Sequence, residues 1–196
     1  MRKGEQTREM ILERAAELFN QQGYFGASLS DLMRETGLEK GGIYNHFQGK
    51  DELALEAFDY ACKVVWQSVE EELAGKVNAA DRLLAMVTAY RRLIEDPPFA
   101  GGCPLLNTAV ESDDAHPALR ERTRGAMTRW RKWIQKTVSR GIAAGEIRPE
   151  TDADTLASIV IATIEGAVML SKLYDDPVHI QRATEHLTQF VNATRT

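Results

Sequence analysis

The segment LEKGGIYNHFQGKDEL, Leu38–Leu53, combines two adjacent glycines with apolar residues at helical spacing. Gly41 and Gly42 each cost a helix about 0.5–1 kcal/mol relative to alanine, so some requirement other than helix stability favours them. Ile43 and Phe47 lie four residues apart and share one buried face. The other side chains of the segment are left on the outer and flanking faces, where a partner can approach them.

The residues before this segment complete the unit. Ser28 can cap a short helix over residues 29–36, with Asp31 reaching back from the third position, and Gly37 ends that helix. Two short helices joined around Gly37 have the layout of a helix-turn-helix. The apolar residues expected to pack together between them are Leu32, Met33, Leu38, Ile43 and Phe47.

The exposed groups of the second short helix suit a DNA groove. Missing Cβ atoms let the start of the helix approach a phosphate or a base edge, and the helix dipole favours an anion there. Tyrosine, histidine and lysine donors can fix the register on the sugar–phosphate backbone, whereas Lys40 and Asn45 can read a base edge in the major groove. The candidate DNA-binding residues of this stretch are Lys40, Gly41, Gly42, Tyr44, Asn45, His46 and Lys50.

Composition restricts the class of protein. The 196 residues are 43% hydrophobic and 27% charged, which is ordinary for a soluble globular chain. The formal net charge of −5 argues against indiscriminate nucleic-acid binding, but residues 40–50 contain two lysines, a histidine and no acid. No signal peptide is evident, and the apolar run LASIVIATIEGAVML is interrupted by Glu165, so we expect a cytoplasmic protein without a membrane span.

Apolar residues recur at spacings of three and four along nearly the whole chain, which predicts an all-α fold. Nine helices are expected, at about 7–22, 29–36, 40–47, 50–74, 78–95, 104–112, 117–144, 152–174 and 177–193. A compact trio of helices that contains two very short ones is followed by mostly long helices. We therefore predict a helix-turn-helix DNA-binding domain over residues 1–50 and a helical-bundle domain for ligand binding and dimerisation over residues 51–196.

The stretch AAELFNQQGYFGASLSDLMRETGLEKGGIYNHFQGKDEL, residues 15–53, resembles the DNA-binding domain of the TetR/AcrR family of bacterial transcriptional regulators. The resemblance rests on A-x-x-L-F, G-Y-x-x-x-S, G-x-x-K-G-x-I-Y-x-H-F and K-x-E-L, without a gap. It implies DNA contact at the residues named above and adds Ser28 and Ser30. Glu39 stands where the family often has a serine or threonine that caps the third helix, and a carboxylate can still cap.

The resemblance also implies partners: double-stranded operator DNA, a small-molecule effector, and a second copy of the chain. A homodimer would form through the helices at about 152–174 and 177–193. The first of these is apolar around much of its circumference, which agrees with a second partner surface. Its apolar residues include Leu156, Ile159, Val160, Ile164, Val168 and Leu170.

Aromatic and methionine residues at helical spacing can line an effector pocket, although such residues are more often core. The candidates are Trp66, Met86, Tyr90, Phe99, Cys103, Met127, Trp130, Glu165 and Tyr174. Cys103 could sense an oxidant or electrophile, but a small buried apolar role fits a thiol without a neighbouring cation better. Glu165, flanked by apolar residues, needs a partner, which could be an arginine across the dimer or a ligand.

Three alternatives stay open from the residues alone. The most basic stretch, residues 122–141, could bind nucleic acid, although its apolar stripe favours a solvated helix face. The whole chain could be a small helical enzyme, but it lacks a nucleophile–base constellation and a phosphate loop, and we expect no cofactor and no metal site. It could also be a helical adaptor for another protein. A repressor remains the preferred interpretation, and activation is the other regulatory possibility.

Overall fold

The computed structural model describes residues 3–196, and over that range the chain forms nine α-helices and no β-strand. This confirms the predicted all-α class. The helices are α1 (Lys3–Gly26), α2 (Leu29–Thr36), α3 (Lys40–Tyr44), α4 (Lys50–Leu73), α5 (Ala79–Glu95), α6 (Pro104–Ser112), α7 (Pro117–Ala143), α8 (Ala153–Tyr174) and α9 (Val178–Asn192).

Two helices differ from their predicted bounds by more than one residue at an end. The helix α1 begins earlier, and it is interrupted at Gly23, whose backbone is not helical (φ 76°, ψ 166°). The helix α3 ends at Tyr44, although the sequence predicted a helix to Phe47. The His46 amide bonds to the Ile43 carbonyl three residues back (3.0 Å), so the chain leaves the α-helix in a tighter turn.

Chain contacts divide the protein into two compact units, and α4 and α7 contribute residues to both. The first unit contains the chain up to Val64 together with Phe99–Ala126, and the second contains Val65–Pro98 and Met127–Thr196. This division is not the one predicted from sequence, because the first unit also includes α6. The functional boundary near residue 50 remains a prediction.

The core of the first unit joins the short helices to α1 and α4. Leu32 and Ile43 are completely buried, and Phe47 is nearly so, while Met33 and Leu38 pack against the same cluster. The predicted contact of these five residues is therefore confirmed. Burial of one such side chain stabilises the fold by about 1.5–3 kcal/mol, so this cluster holds α2 and α3 against the rest of the unit.

In the second unit α5, α8 and α9 pack against one another. Val160 and Ile164 of α8 are completely buried. The C-terminal residues are attached to the segment after α7 through a bridge between Ile147 and Arg195. Arg195 also donates to Asp81 (2.6 Å), so the end of the chain is tied to the first turn of α5.

Among the described residues α8 is the one helix long and apolar enough to cross a membrane. Half of its most apolar stretch is buried inside the protein. The core helix of a globular protein passes the same test of length and composition, so α8 alone is weak evidence for a membrane span.

Candidate nucleic-acid interface

The start of α2 is held by a capping box between Ser28 and Asp31. The Ser28 hydroxyl accepts from the Asp31 amide (3.1 Å), and the Asp31 carboxylate accepts from the Ser28 amide (2.9 Å). The Ser28 hydroxyl also donates to the Asp31 carboxylate (2.6 Å), and this hydrogen bond, followed by the one from the Ser28 amide, lowers the pKa of Asp31 to about 2. The predicted cap is confirmed. Ser28 and Ser30 are both exposed at this end of the helix, but the Ser28 hydroxyl is already engaged by Asp31.

The turn between α2 and α3 is set by Gly37, which adopts the left-handed conformation (φ 67°, ψ 16°). Its amide bonds to the Met33 carbonyl (2.9 Å) and so completes the C-terminal cap of α2. Thr36 strengthens the same turn, since its hydroxyl donates to the Leu32 carbonyl (2.7 Å) and accepts from the Leu38 amide (3.3 Å). These bonds fix the direction in which α3 leaves α2.

The helix α3 directs its polar groups outward because Ile43 is buried on its inner side. Lys40, Gly41 and Asn45 are exposed, whereas Tyr44 and His46 are half-buried, and Tyr44 packs partly against the core. The structure therefore brings six of the predicted DNA-binding residues together on one short segment: Lys40, Gly41, Gly42, Tyr44, Asn45 and His46. Glu39 occupies the N-cap position without a side-chain cap hydrogen bond, so the capping role considered for it is absent here.

Gly41 has no packing reason to be glycine. A Cβ atom added there would meet no heavy atom of the chain within 4 Å. The residue nevertheless costs a helix about 1 kcal/mol relative to alanine. A partner outside the chain that approaches the backbone closely would account for the missing side chain.

Lys50, predicted to donate to DNA, lies partly inside the first unit. Its Nζ atom donates to the Tyr24 carbonyl and stands 4.4 Å from the centre of the Tyr24 ring. Burial lowers the pKa of Lys50, and the negative charges of Glu111 and Asp51 act in the opposite direction. An ammonium group has three donors, so Lys50 retains hydrogen atoms for a phosphate while Tyr24 holds it in place.

Tyr24 and Glu111 were not predicted as functional residues. The Tyr24 hydroxyl donates to Asp51, and burial followed by this hydrogen bond raises the pKa of Tyr24 to about 12. The Tyr24 ring meets the His116 ring edge-on, with 4.7 Å between centres. The G-Y pair of the sequence signals a helix break at this point, but its contact with Glu111, 87 residues later, has no local signal.

A cavity of about 30 Å³, room for about two water molecules, lies within the first unit. Its apolar side is formed by alanines and aromatic residues of α1 and α4, and its polar side by Asn20, Tyr24, Thr108 and Glu111. None of the nine residues predicted for an effector pocket lines it.

The nine predicted pocket residues fall into different units. Phe99 packs against the core of the first unit, and Cys103 is buried in that unit at the start of α6, as expected for a small apolar residue. The other seven lie in the second unit, where Tyr174 is 64% exposed. Glu165 is buried on α8. The predicted effector pocket remains a prediction, and seven of its nine residues lie in the second unit.

Three of the pocket candidates form a buried group in the second unit. The rings of Tyr90 and Trp130 stack with 4.7 Å between centres and 11° between planes. The Trp130 indole donates to the sulfur of Met86 (3.1 Å). In the same unit, the rings of Trp66 and Trp133 meet edge-on with 5.7 Å between centres. These contacts make a well-packed aromatic region.

Within residues 3–196 no group of three or more histidine, cysteine, aspartate or glutamate side chains is arranged to hold a metal ion. The basic stripe of α7 is exposed at Arg129, Lys132, Lys136 and Arg140. Trp130, Ile134 and Val138 are buried behind it, which agrees with the interpretation of this stripe as a solvated helix face.

Two family profiles match the chain. Residues 11–57 match the profile for bacterial regulatory proteins of the tetR family, and residues 79–187 match the profile for a tetracyclin repressor-like C-terminal domain. The crystal structure of a TetR transcriptional regulator from Chloroflexus aurantiacus is 49% identical, with a TM-score of 0.95, and the match covers 100% of this chain and 98% of that one.

Two further relatives agree. A TetR-family regulator from Cytophaga hutchinsonii has a crystal structure that is 34% identical, with a TM-score of 0.90, over 100% of this chain and 98% of that chain. An HTH-type transcriptional regulator of Mycobacterium tuberculosis is 30% identical over 86% of each chain. With a helix-turn-helix at its N-terminus and a matching C-terminal domain, the chain belongs to the TetR family of bacterial transcriptional regulators.

Proposed function

We propose that the protein is a cytoplasmic repressor that binds a palindromic operator as a homodimer and leaves it when a small molecule binds. The observation that carries the DNA-binding role is the exposed polar row on α3, built on a capped α2 and a buried Ile43. The proposed contacts are Ser28, Ser30, Lys40, Gly41, Gly42, Tyr44, Asn45, His46 and Lys50. The relatives are regulators, so we propose this role in preference to an enzyme or an adaptor.

The homodimer is proposed to form through α8 and α9. Ile159, Met169 and Leu173 are 37%, 52% and 70% exposed on α8, outside the core of the second unit. Leu173 lies 14 residues after Ile159, a rise of about 21 Å along the helix, and the small Gly166 lies between them. A second copy that covers this stripe would remove the apolar area from water and present two copies of α3. Successive major grooves lie about 34–36 Å apart, which sets the spacing of the two half-sites.

The effector is proposed to bind in the second unit, near the aromatic region of Tyr90 and Trp130. Binding would alter the separation of the two copies of α3 through α4, which is the covalent connection between the predicted domains. An effector achieves this only if it binds the two arrangements with different affinity. The C-terminal profile, described as repressor-like, supports release as the response.

The DNA-binding role is tested with duplexes selected from a random pool by the wild-type protein. Binding should weaken steeply with salt, because displaced counterions accompany each phosphate contact. Lys40→Ala and His46→Ala should each reduce affinity by about tenfold or more. Lys63→Ala is the matched control, since Lys63 is equally exposed and lies on α4 away from the proposed contacts. Equal affinity of the Lys40 and His46 variants and the wild type would contradict the residue assignment.

A further inference from the structure

The connection between α1 and α2 depends on a residue from a distant helix. After the break at Gly23 the chain makes one more helical turn, closed by a bond from the Ala27 amide to the Gly23 carbonyl (3.1 Å). The first amides of such a turn have no acceptor inside it. Glu111 of α6 supplies both acceptors: its two carboxylate oxygens lie 2.8 Å from the Tyr24 amide and 2.9 Å from the Phe25 amide.

This contact requires glycine at position 23. A Cβ atom there would lie 2.5 Å from one carboxylate oxygen of Glu111 and 2.7 Å from the other, closer than side chains approach. The backbone angles of Gly23 are also ones that residues with a Cβ rarely adopt. The break therefore both frees the two amides and makes room for the carboxylate that binds them.

The turn from Gly23 to Ala27, which we name the Gly23 turn, precedes Ser28 and so holds the start of α2. Its Tyr24 carbonyl accepts the hydrogen bond from Lys50, and the Tyr24 hydroxyl reaches Asp51. The first and the last of the proposed DNA contacts, Ser28 and Lys50, are therefore both attached to the Gly23 turn.

The helix α6 that carries Glu111 is itself fixed to α1. The side-chain amide of Asn107 donates to the Asn20 backbone carbonyl (3.0 Å) and to the Asn20 side-chain oxygen (2.9 Å). The side-chain amide of Asn20 in turn donates to the Ala100 carbonyl (2.9 Å). Because these bonds determine where α6 lies along α1, they also determine where Glu111 presents its carboxylate.

We propose that Glu111 is a positioning residue for operator binding: without touching DNA, its carboxylate fixes the Gly23 turn, and through it the start of α2 and Lys50. This inference rests on the proposed function and adds that operator affinity depends on the position of α6.

The test is the affinity of Glu111→Gln for the duplex selected by the wild-type protein, measured by fluorescence anisotropy with the full chain. Glutamine keeps the size of the side chain but replaces one acceptor with a donor, so at least one of the two amide bonds is lost. We expect about a tenfold loss of affinity. Glu121→Gln changes the net charge equally at an exposed site on α7 and should bind as the wild type does.

A double-variant comparison separates positioning from a general loss of structure. Glu111→Gln combined with Lys50→Met should lose less affinity than the product of the two single losses, because both changes act on the same attachment. Combined with His46→Ala, Glu111→Gln should lose the full product, since His46 follows α3 and makes no hydrogen bond to the Gly23 turn among the described residues. Circular dichroism and sedimentation should be unchanged in every single variant.

The outcomes distinguish this inference from the proposed function. Wild-type affinity in Glu111→Gln, or full products in both combinations, would overturn the positioning role and leave DNA binding intact. Failure of the wild type to select any duplex would overturn both. If Glu111→Gln does not fold, Glu111→Asp takes its place, because the shorter side chain keeps the charge and loses the reach. Unchanged affinity in that variant would equally refute the inference.

Discussion

Gly23→Ala is expected to destabilise the first unit by about 2–6 kcal/mol, the sum of two effects. Holding a residue with a Cβ at φ 76° and ψ 166° costs about 1–3 kcal/mol. The new methyl group also displaces Glu111, whose carboxylate would otherwise lie 2.5 Å away. Leaving the Tyr24 and Phe25 amides without this acceptor costs about 1–3 kcal/mol more.

Gly37→Ala is the matched control. Gly37 also has a positive φ, 67°, but a Cβ atom there would meet nothing within 4 Å. Gly37→Ala should therefore lower the free energy of unfolding only by the strain of a left-handed alanine, about 1–2 kcal/mol. The difference between the two variants reports the contact with Glu111 together with the extra backbone strain at Gly23.

Urea unfolding followed by circular dichroism provides the assay, with the shift in midpoint converted through the unfolding slope. Glu111→Ala should cost about 1–3 kcal/mol alone. Adding Gly23→Ala to it should cost no more than the backbone strain, because the cap is already lost. If Gly23→Ala costs no more than Gly37→Ala, or if its cost adds fully to that of Glu111→Ala, the capping argument is wrong.

Three further changes test other parts of the structure. The Asp31 carboxylate has a pKa lowered to about 2, so its contribution to stability is complete above about pH 4 and is lost as the pH falls through about 2; the difference in melting temperature between wild type and Asp31→Asn should therefore shrink over that interval and stay constant from pH 5 to 7. Arg195→Ala removes the hydrogen bonds to Asp81 and Asn78 and should lower the melting temperature by about 2–4 °C, which corresponds to a loss of about 1 kcal/mol of unfolding free energy in a chain of this size. Arg182→Ala, on the exposed side of α9, is the control and should leave the melting temperature unchanged. Met169→Glu should convert the proposed dimer to a folded monomer in sedimentation velocity, and a dimer of unchanged stability would place the interface elsewhere.

The local parts of the fold were readable from the sequence. The bounds of α2, its capping box at Ser28 and its end at Gly37 depend on residues within ten positions of one another, and the structure has them as predicted. The predicted extension of α3 to Phe47 was wrong. Ile43 and Phe47 do face the core, but the chain reaches Phe47 through a tighter turn, and apolar spacing does not distinguish the two.

The unpredicted parts of the site depend on contacts between distant segments. Lys50 was predicted to extend toward DNA, and its bond to the Tyr24 carbonyl, 26 residues earlier, has no local pattern. Glu111 was missed for the same reason. Phe99 and Cys103 belong to the first unit because the chain returns there after α5, and the proline- and glycine-rich break at residues 97–102 does not show to which unit it returns.

The distribution of tryptophan makes the two units separately visible in solution. All three tryptophans, Trp66, Trp130 and Trp133, belong to the second unit, and Trp130 is almost completely buried against Tyr90. Intrinsic emission excited at the indole band therefore reports on the second unit without a label, so candidate effectors can be screened by titration. The described part of the first unit contains no tryptophan and does not contribute to this emission. Phe25, which is 54% exposed, is a position where one introduced tryptophan would report conformational changes near α2 in addition to the emission of the three native tryptophans.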